Sequence, residues 1–425
     1  MKSKRIILGS SAAGIAAVEA IRAADPECDI VQVTDELHPL YSRCLLPYYL
    51  SGTLPREKLL YRDAGFHASL QVRLYAGRHA AGLDPDRKQV RCQDGSVLDY
   101  DKLLIATGAS AKLPGNIPSG IDGVHVLRNL EDADAIRGKL GRVRNAVILG
   151  GGLIGLKTAV ALSESGIKTR VLVRSEHVLS QMIDAAASRM VIRRLNQNGI
   201  EVVNRSDVAE VEERHKLLTA VRTEQGETIP CELLIVAKGV QPNLGCVRGA
   251  DIKKRWGIET DSFMQTSLPD VFAAGDVAET YDITSEGHAV NALWTCAVQQ
   301  GRIAGLNMAG RETPYDGSIG MNSLNLCGIP MMAYGITAPK DESDYRILVL
   351  ENPEKFIYKK IILKNNRIKG VLLLGKIENG GVLLSLIQRK TDVEEFSEEL
   401  LSDHFRFGDL LRTGDTFVFQ KYQQC

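Results

Sequence analysis

The chain has 425 residues, 44% of them hydrophobic and 24% charged. Such values belong to folded globular proteins and exclude the disordered, collagen-like and fibrous classes, while the length allows two to four domains. Lysine plus arginine equals aspartate plus glutamate at 52 each, so no global field recruits nucleic acid or an anionic membrane.

Basic residues open the chain as in a secretory leader, but the apolar stretch behind them contains Gly9, Ser10, Ser11 and Gly14 and runs to Glu19 with no cleavage signature. It reads as a first strand. No uncharged apolar run approaches the roughly 18 residues of a spanning helix, so a cytoplasmic protein without a membrane partner is expected. Cys28, Cys44, Cys92, Cys231, Cys246, Cys296, Cys327 and Cys425 form no CxxC pair. That spacing argues against a disulfide framework, a zinc knuckle or a resident iron–sulfur cluster. The eight histidines lack HExxH or any paired metal spacing, so no metal site is expected.

Residues 5–21 (RIILGSSAAGIAAVEAI) and 145–162 (NAVILGGGLIGLKTAVAL) superpose, with Gly9 and Gly150 offset by 141 positions. Each copy runs an apolar strand into a tight turn of small residues and then into a helix, the arrangement that presents backbone N–H groups to a pyrophosphate. Gly150, Gly152 and Gly155 make a full GxGxxG, with Ile154 in its variable part; Gly9, Ser11 and Gly14 make GxSxxG, with Ala13 before the last glycine. A second strand is expected at 29–33, ending at Asp35-Glu36, and another at 169–173, ending at Arg174-Ser175. An acid at that place accepts from a free ribose diol, which suits FAD. The arginine and serine either accommodate a 2′-phosphate, as in NADPH, or lie on a solvated surface.

On these paired turns the sequence resembles the two-dinucleotide flavoproteins, the pyridine nucleotide-disulfide oxidoreductase-like family, over about its first three quarters. Four further segments support the likeness. Residues 103–108 (LLIATG, with Thr107 and Gly108) look like the crossover out of the FAD domain, and 239–243 (GVQPN, beginning at Gly239) like the return. Residues 266–276 (TSLPDVFAAGD, ending in Gly275-Asp276) are similar to the second FAD signature, which implies that Asp276 reaches the ribityl chain and phosphate. Trp294, Thr295, Gln299 and Gly301 sit in a stretch resembling the helix beside the flavin ring. The implied fold is α/β with two Rossmann-like domains, for FAD at 1–112 and 243–312 and for NAD(P)H at 113–242. A smaller C-terminal α/β domain occupies 313–425, with strands at 344–350, 356–363 and 368–374 and helical patterns at 382–389 and 393–402. In the family that last segment packs over the flavin or forms a homodimer interface.

The family's paired-cysteine motif has no counterpart on the first FAD helix, which excludes a dithiol mechanism of that type. Residues 41–50 (YSRCLLPYYL) point two ways. Cys44-x-x-Pro47-Tyr48 resembles the single-cysteine branch, which reduces coenzyme A disulfide, persulfide, peroxide or oxygen. Tyr41-x-Arg43 resembles rubredoxin and ferredoxin reductases and the nitrite reductase flavin domain, where the arginine contacts FAD. Residues 358–363 (YKKIIL) and 366–375 (NRIKGVLLLG) look like the latter branch and favour electron transfer between NAD(P)H and an iron–sulfur protein. Lys157 stands where the family commonly has glutamate; it either raises the flavin potential as a nearby cation or extends to solvent. A reading from another class is a redox sensor or scaffold that binds both nucleotides without turnover.

Overall fold

The protein, seen as a computed structural model, is described at residues 3–38, 40–339, 341–406 and 408. Its contacts form two units, residues 1–175 with 198–319, and residues 176–197 with 320–425.

In the first unit, β1 (Lys4–Leu8), β2 (Asp29–Val33), β3 (Val72–Tyr75) and β4 (Lys102–Ile105) are parallel, and the strand Val271–Ala273 completes the sheet beside β4. The runs Ile6-Ile7-Leu8 and Leu103-Leu104-Ile105 are buried throughout, as expected of parallel strands covered on both faces. Helix α1 (Ala12–Ala24) follows β1. The second copy repeats the plan with β5 (Asn145–Leu149), β6 (Lys168–Val173), β7 (Ile200–Asn204) and β8 (Leu233–Val236), closed at one edge by Val124–Val126, and with α2 (Leu153–Glu164) after β5. The expected α/β class with two Rossmann-like sheets is thus present.

The two crossovers, far apart in sequence, are one structural feature. Ala109–Ala111 pairs antiparallel with Val240–Pro242, and Asn243 ties off the ribbon by donating to the Thr107 carbonyl and accepting from its hydroxyl, each at 2.9 Å. Gly108 and Gly239 flank it with φ of +67° and +86°, a left-handed region that glycine enters without strain. Helix α3 (Trp294–Met308) lies against α1 so closely that a Cβ on Gly301 would stand 2.1 Å from the Ala13 carbonyl oxygen.

In the second unit, β9 (Met321–Leu326), β10 (Ile329–Gly335), β11 (Arg346–Asn352), β12 (Ile357–Lys364) and β13 (Arg367–Leu374) make one antiparallel sheet in the order β9-β10-β13-β12-β11. The β9–β10 hairpin was not among the expected strands. The helix expected at 393–402 is a 3-10 segment, Glu394–Leu401, broken at Phe396, whose φ of −128° leaves the helical region and whose ring stacks on Phe405. Lys359 and Lys360 are buried structural anchors. Lys359 bonds Asp403 and the Leu401 carbonyl, while Lys360 bonds Asp184, which also accepts from the Tyr358 hydroxyl. Each charge is paired, as burial requires. The Asp184 contacts help to place residues 176–197, inserted in sequence between β6 and β7, in this unit.

Candidate cofactor and redox site

Both small-residue turns have the form of a phosphate cradle. The Gly9 N–H donates to the Val33 carbonyl at 2.7 Å, and the Gly150 N–H to the Leu172 carbonyl at 2.9 Å. A Cβ on Gly9 would lie 2.1 Å from the Ala106 carbonyl oxygen, and one on Gly150 2.3 Å from that of Ala237. On Gly14 and Gly155 it would meet the carbonyl oxygen of the turn's own first glycine, at 2.0 and 2.1 Å. The middle position differs: nothing stands within 4 Å of a Cβ on Gly152, and the first copy puts Ser11 there. Ser11 and Gly152 are the N-caps of α1 and α2, and neither makes a side-chain cap hydrogen bond. The leading N–H groups of both helices are therefore without the usual side-chain partner, a partner that a pyrophosphate oxygen would supply. The residues present fit a dinucleotide at each turn. The Ala13 backbone faces Gly301, and Ile154 is exposed on the first turn of α2.

Around the first turn two arginine–carboxylate pairs converge. Glu36 accepts from Arg43 and, at 2.7 Å, from the Tyr41 hydroxyl, and that hydroxyl accepts the Leu130 N–H at 3.1 Å. Burial pushes the Tyr41 hydroxyl well up from its ordinary value, so it remains a neutral donor. Asp276 is paired with Arg128 at 2.6 Å, Arg128 also donates to the Ala109 carbonyl at 2.8 Å, and its own carbonyl accepts from Arg43 at 2.9 Å. Arg43 thus links both pairs. The structure sets Glu36, not Asp35, in this cluster; Asp35 points away, its side chain 67% exposed opposite His79. Gly275, with φ +81°, donates its N–H to buried Gln300 at 2.8 Å. Trp294 opens α3 and packs edge-to-face on Tyr61 with centroids 5.2 Å apart, while Thr295 is exposed.

Arg128 is the site residue that sequence reading missed. A signal existed: Asn129 and Asp132 form a capping box at the start of the helix Leu130–Arg137, and the Arg128 N–H donates to the same Asp132 carboxylate at 2.8 Å. A cap that fixes the residue ahead of it aims that residue.

Cys44 lies in a 3-10 turn, Arg43–Leu45, directly before the short helix Leu46–Leu50, where Pro47 is buried near the N-terminus. Among the described cysteines it alone is exposed. Crowding by neighbouring atoms pushes its thiol up, whereas Lys157, the Ser42 hydroxyl and Arg128 pull it down and Asp276 adds to the rise. The exposed surface makes that desolvation partial. Lys157 reaches from α2 over the Tyr48 ring, 5.2 Å from its centroid, and makes no ion pair among the described residues. Arg174 is exposed immediately after β6, and the Arg205 N–H donates to the adjacent Ser175 carbonyl at 3.2 Å. No cluster of metal-ligating side chains occurs among the described residues, and no helix among them is long and apolar enough to cross a membrane.

A split α/β unit with two dinucleotide cradles and two linked arginine–carboxylate pairs, tied to the crossover ribbon through Arg128 and the Ala109 carbonyl, is the frame of a flavin- and nicotinamide-dependent oxidoreductase. The chain belongs to the pyridine nucleotide-disulphide oxidoreductase family, whose defining pattern matches residues 3–301, and the pattern of the rubredoxin NAD+ reductase C-terminal domain matches residues 321–391. It is an FAD-dependent NAD(P)H oxidoreductase. It is similar to the NADH-dependent phenylglyoxylate dehydrogenase subunit epsilon of Aromatoleum evansii, with 32% identity covering 96% of each chain. It also resembles the NADH-rubredoxin oxidoreductase of Clostridium acetobutylicum, with 27% identity over 93% of this chain and 98% of that one. Among solved structures, the covalent putidaredoxin reductase–putidaredoxin complex aligns with a TM-score of 0.86 at 25% identity, covering 92% of this chain and 94% of that chain.

Proposed function

We propose that the protein passes electrons from NAD(P)H to an iron–sulfur protein, either a separate carrier of rubredoxin or ferredoxin type or a subunit of a larger enzyme. The observation that carries this reading is the C-terminal match at residues 321–391, which joins the dinucleotide unit to a rubredoxin-reductase module. FAD would occupy the discontinuous part at 1–112 and 243–312, and the nicotinamide nucleotide the part at 113–242, with residues 313–425 as the third domain and the cytoplasm as the location.

FAD when bound supplies the exchange between a two-electron donor and one-electron acceptors. The chain's own residues bind and orient. Ser11 and the first N–H groups of α1 would donate to the pyrophosphate, with Gly9 and Gly14 letting the backbone approach. Glu36, fixed by Arg43 and Tyr41, receives the ribose hydroxyls; Asp276 and Arg128 hold the ribityl and phosphate portion. Gly275, Thr107 and Gly108 shape the floor, and Trp294 and Thr295 the side toward the ring. The turn Gly150–Gly155 and Arg174 bind the nicotinamide nucleotide.

Arg174→Glu is expected to lower kcat/KM for NADPH relative to NADH by about tenfold. An unchanged ratio in steady-state assays would mean that this arginine does not read the 2′-phosphate.

A second reading rests on one observation, the placement of exposed Cys44 within the electrostatic reach of Lys157: a single-cysteine reductase in which that thiolate relays electrons to a disulfide, persulfide or peroxide. Cys44→Ser decides between them, because serine nearly preserves volume. Electron transfer predicts that at least about half of NAD(P)H-dependent ferricyanide and rubredoxin reduction survives, since the thiol only packs there. Loss of turnover on disulfide, persulfide and peroxide substrates, while NAD(P)H still bleaches the flavin, would establish the cysteine relay instead.

A further inference from the structure

One residue breaks the apolar run of β2. In β2, Ile30, Val31 and Val33 are fully or almost fully buried hydrophobics, yet between them Gln32 is also 0% exposed. An amide buried in such surroundings is unfavourable unless both its ends are satisfied. Both are. Its Nε2 donates to the Gly9 carbonyl at 2.9 Å, and its Oε1 lies 2.8 Å from Nε2 of His67, itself 9% exposed. This polarity requires His67 to carry its proton on Nε2, and burial lowers the imidazole's pKa, favouring the neutral ring.

The carbonyl that Gln32 holds belongs to the first glycine of the first cradle, the one whose oxygen would meet a Cβ on Gly14 at 2.0 Å. Gly9 has φ +116°, outside any regular element, so its carbonyl has no ladder partner and the side chain of the neighbouring strand supplies one. The second cradle is an internal control. Gln32 stands opposite Ile7 of β1, and the corresponding residue opposite Ile148 of β5 is Val171, also 0% exposed. Valine offers no donor. The same device therefore occurs twice in the chain, with its turn clamped in one copy only.

We infer that Gln32 and His67 are positioning residues that hold the Gly9 turn in its phosphate-accepting shape, so that this cradle retains its dinucleotide while the second, closed on Val171, exchanges its own. The inference rests on the assignment of FAD to the first turn. Retention matches the two roles: a resident cofactor stays through many turnovers, whereas a nicotinamide nucleotide enters and leaves in each. Physically, a turn that visits other shapes binds more weakly by the fraction of time it is incompetent, and a clamp removes that loss.

The test is the dissociation constant of FAD, followed by the recovery of its fluorescence on release, in wild type, Gln32→Met and His67→Leu. Methionine keeps the volume and removes both hydrogen bonds. Gln32→Met is expected to weaken FAD on the order of tenfold and His67→Leu about threefold, because the latter leaves the bond to Gly9 but unpairs the amide oxygen. Binding of NAD(P)H to the second turn, read by tryptophan quenching, is expected to stay unchanged in both. A merely structural role would lower the melting temperatures of apo- and holoprotein alike and leave the FAD constant where it was; that result overturns the inference. Should Gln32→Met not fold, His67→Leu with wild-type FAD affinity overturns it equally. Wild-type protein that leaves added FAD free, or binds it unimpaired after the first turn is blocked by Ser11→Asp, rejects the FAD assignment itself and the clamp with it.

Discussion

Replacing Gly152 by aspartate is expected to give a folded, yellow protein that scarcely uses NAD(P)H. The position is unusual among the turn glycines. Its φ of −80° and ψ of 179° suit any residue, and a Cβ there meets nothing within 4 Å. As N-cap of α2 it gains from aspartate, whose carboxylate accepts a first-turn N–H and complements the helix dipole, so stability should hold or rise by a few tenths of a kcal/mol. Those N–H groups are the ones a pyrophosphate would use. A fixed negative charge in their place both occupies the donors and repels the ligand, which should lower kcat/KM for NAD(P)H about a hundredfold or more. Stopped-flow reduction by NAD(P)H, set against reduction by dithionite, separates this from damage to the flavin site. Wild-type kcat/KM in the variant would remove the second turn from nicotinamide binding. Gly155→Ala would be less informative, since its Cβ would stand 2.1 Å from the Gly150 carbonyl oxygen and force the turn itself to move.

Gly301→Val should be strongly destabilising at the FAD side. The added Cβ would lie 2.1 Å from the oxygen and 2.7 Å from the Cα of Ala13, backbone atoms that no rotamer change can move aside. The helices α1 and α3 would have to separate, and Gly305, whose Cβ would stand 2.6 Å from the Ala17 oxygen, shows that the tight contact extends a further turn. A loss of about 3 kcal/mol or more follows from overpacking at a contact of this kind. The neighbouring Gln300 fixes the Gly275 N–H, so displacement of α3 should also disturb the segment leading to Asp276 and reduce FAD occupancy. Thermal unfolding and the ratio of flavin to protein absorbance check both parts. A variant melting within roughly 2 °C of wild type with full flavin content would contradict the packing argument.

Local chemistry made much of the fold readable. Two apolar strands, each running into a turn of small residues and a helix, announce the repeat because only that pattern buries a parallel strand on both faces and frees backbone donors at its end. The second strand appears at Asp29–Val33 as expected, and the three expected C-terminal strands lie within two residues of expectation at each end, because period and punctuation are properties of neighbouring residues. The acid after β2 was legible only as a class. Which of Asp35 and Glu36 joins the site depends on Arg43 and Tyr41 arriving from the next loop. Arg128 reaches Asp276 across 148 residues, and Gln32 joins Gly9 and His67 from opposite directions along the chain. No period or spacing encodes such meetings; they exist only once the sheet has brought the segments together. The same holds for residues 176–197, which follow the second cradle in sequence and yet pack with the C-terminal sheet, because buried Lys360 requires a carboxylate that its own strand does not supply.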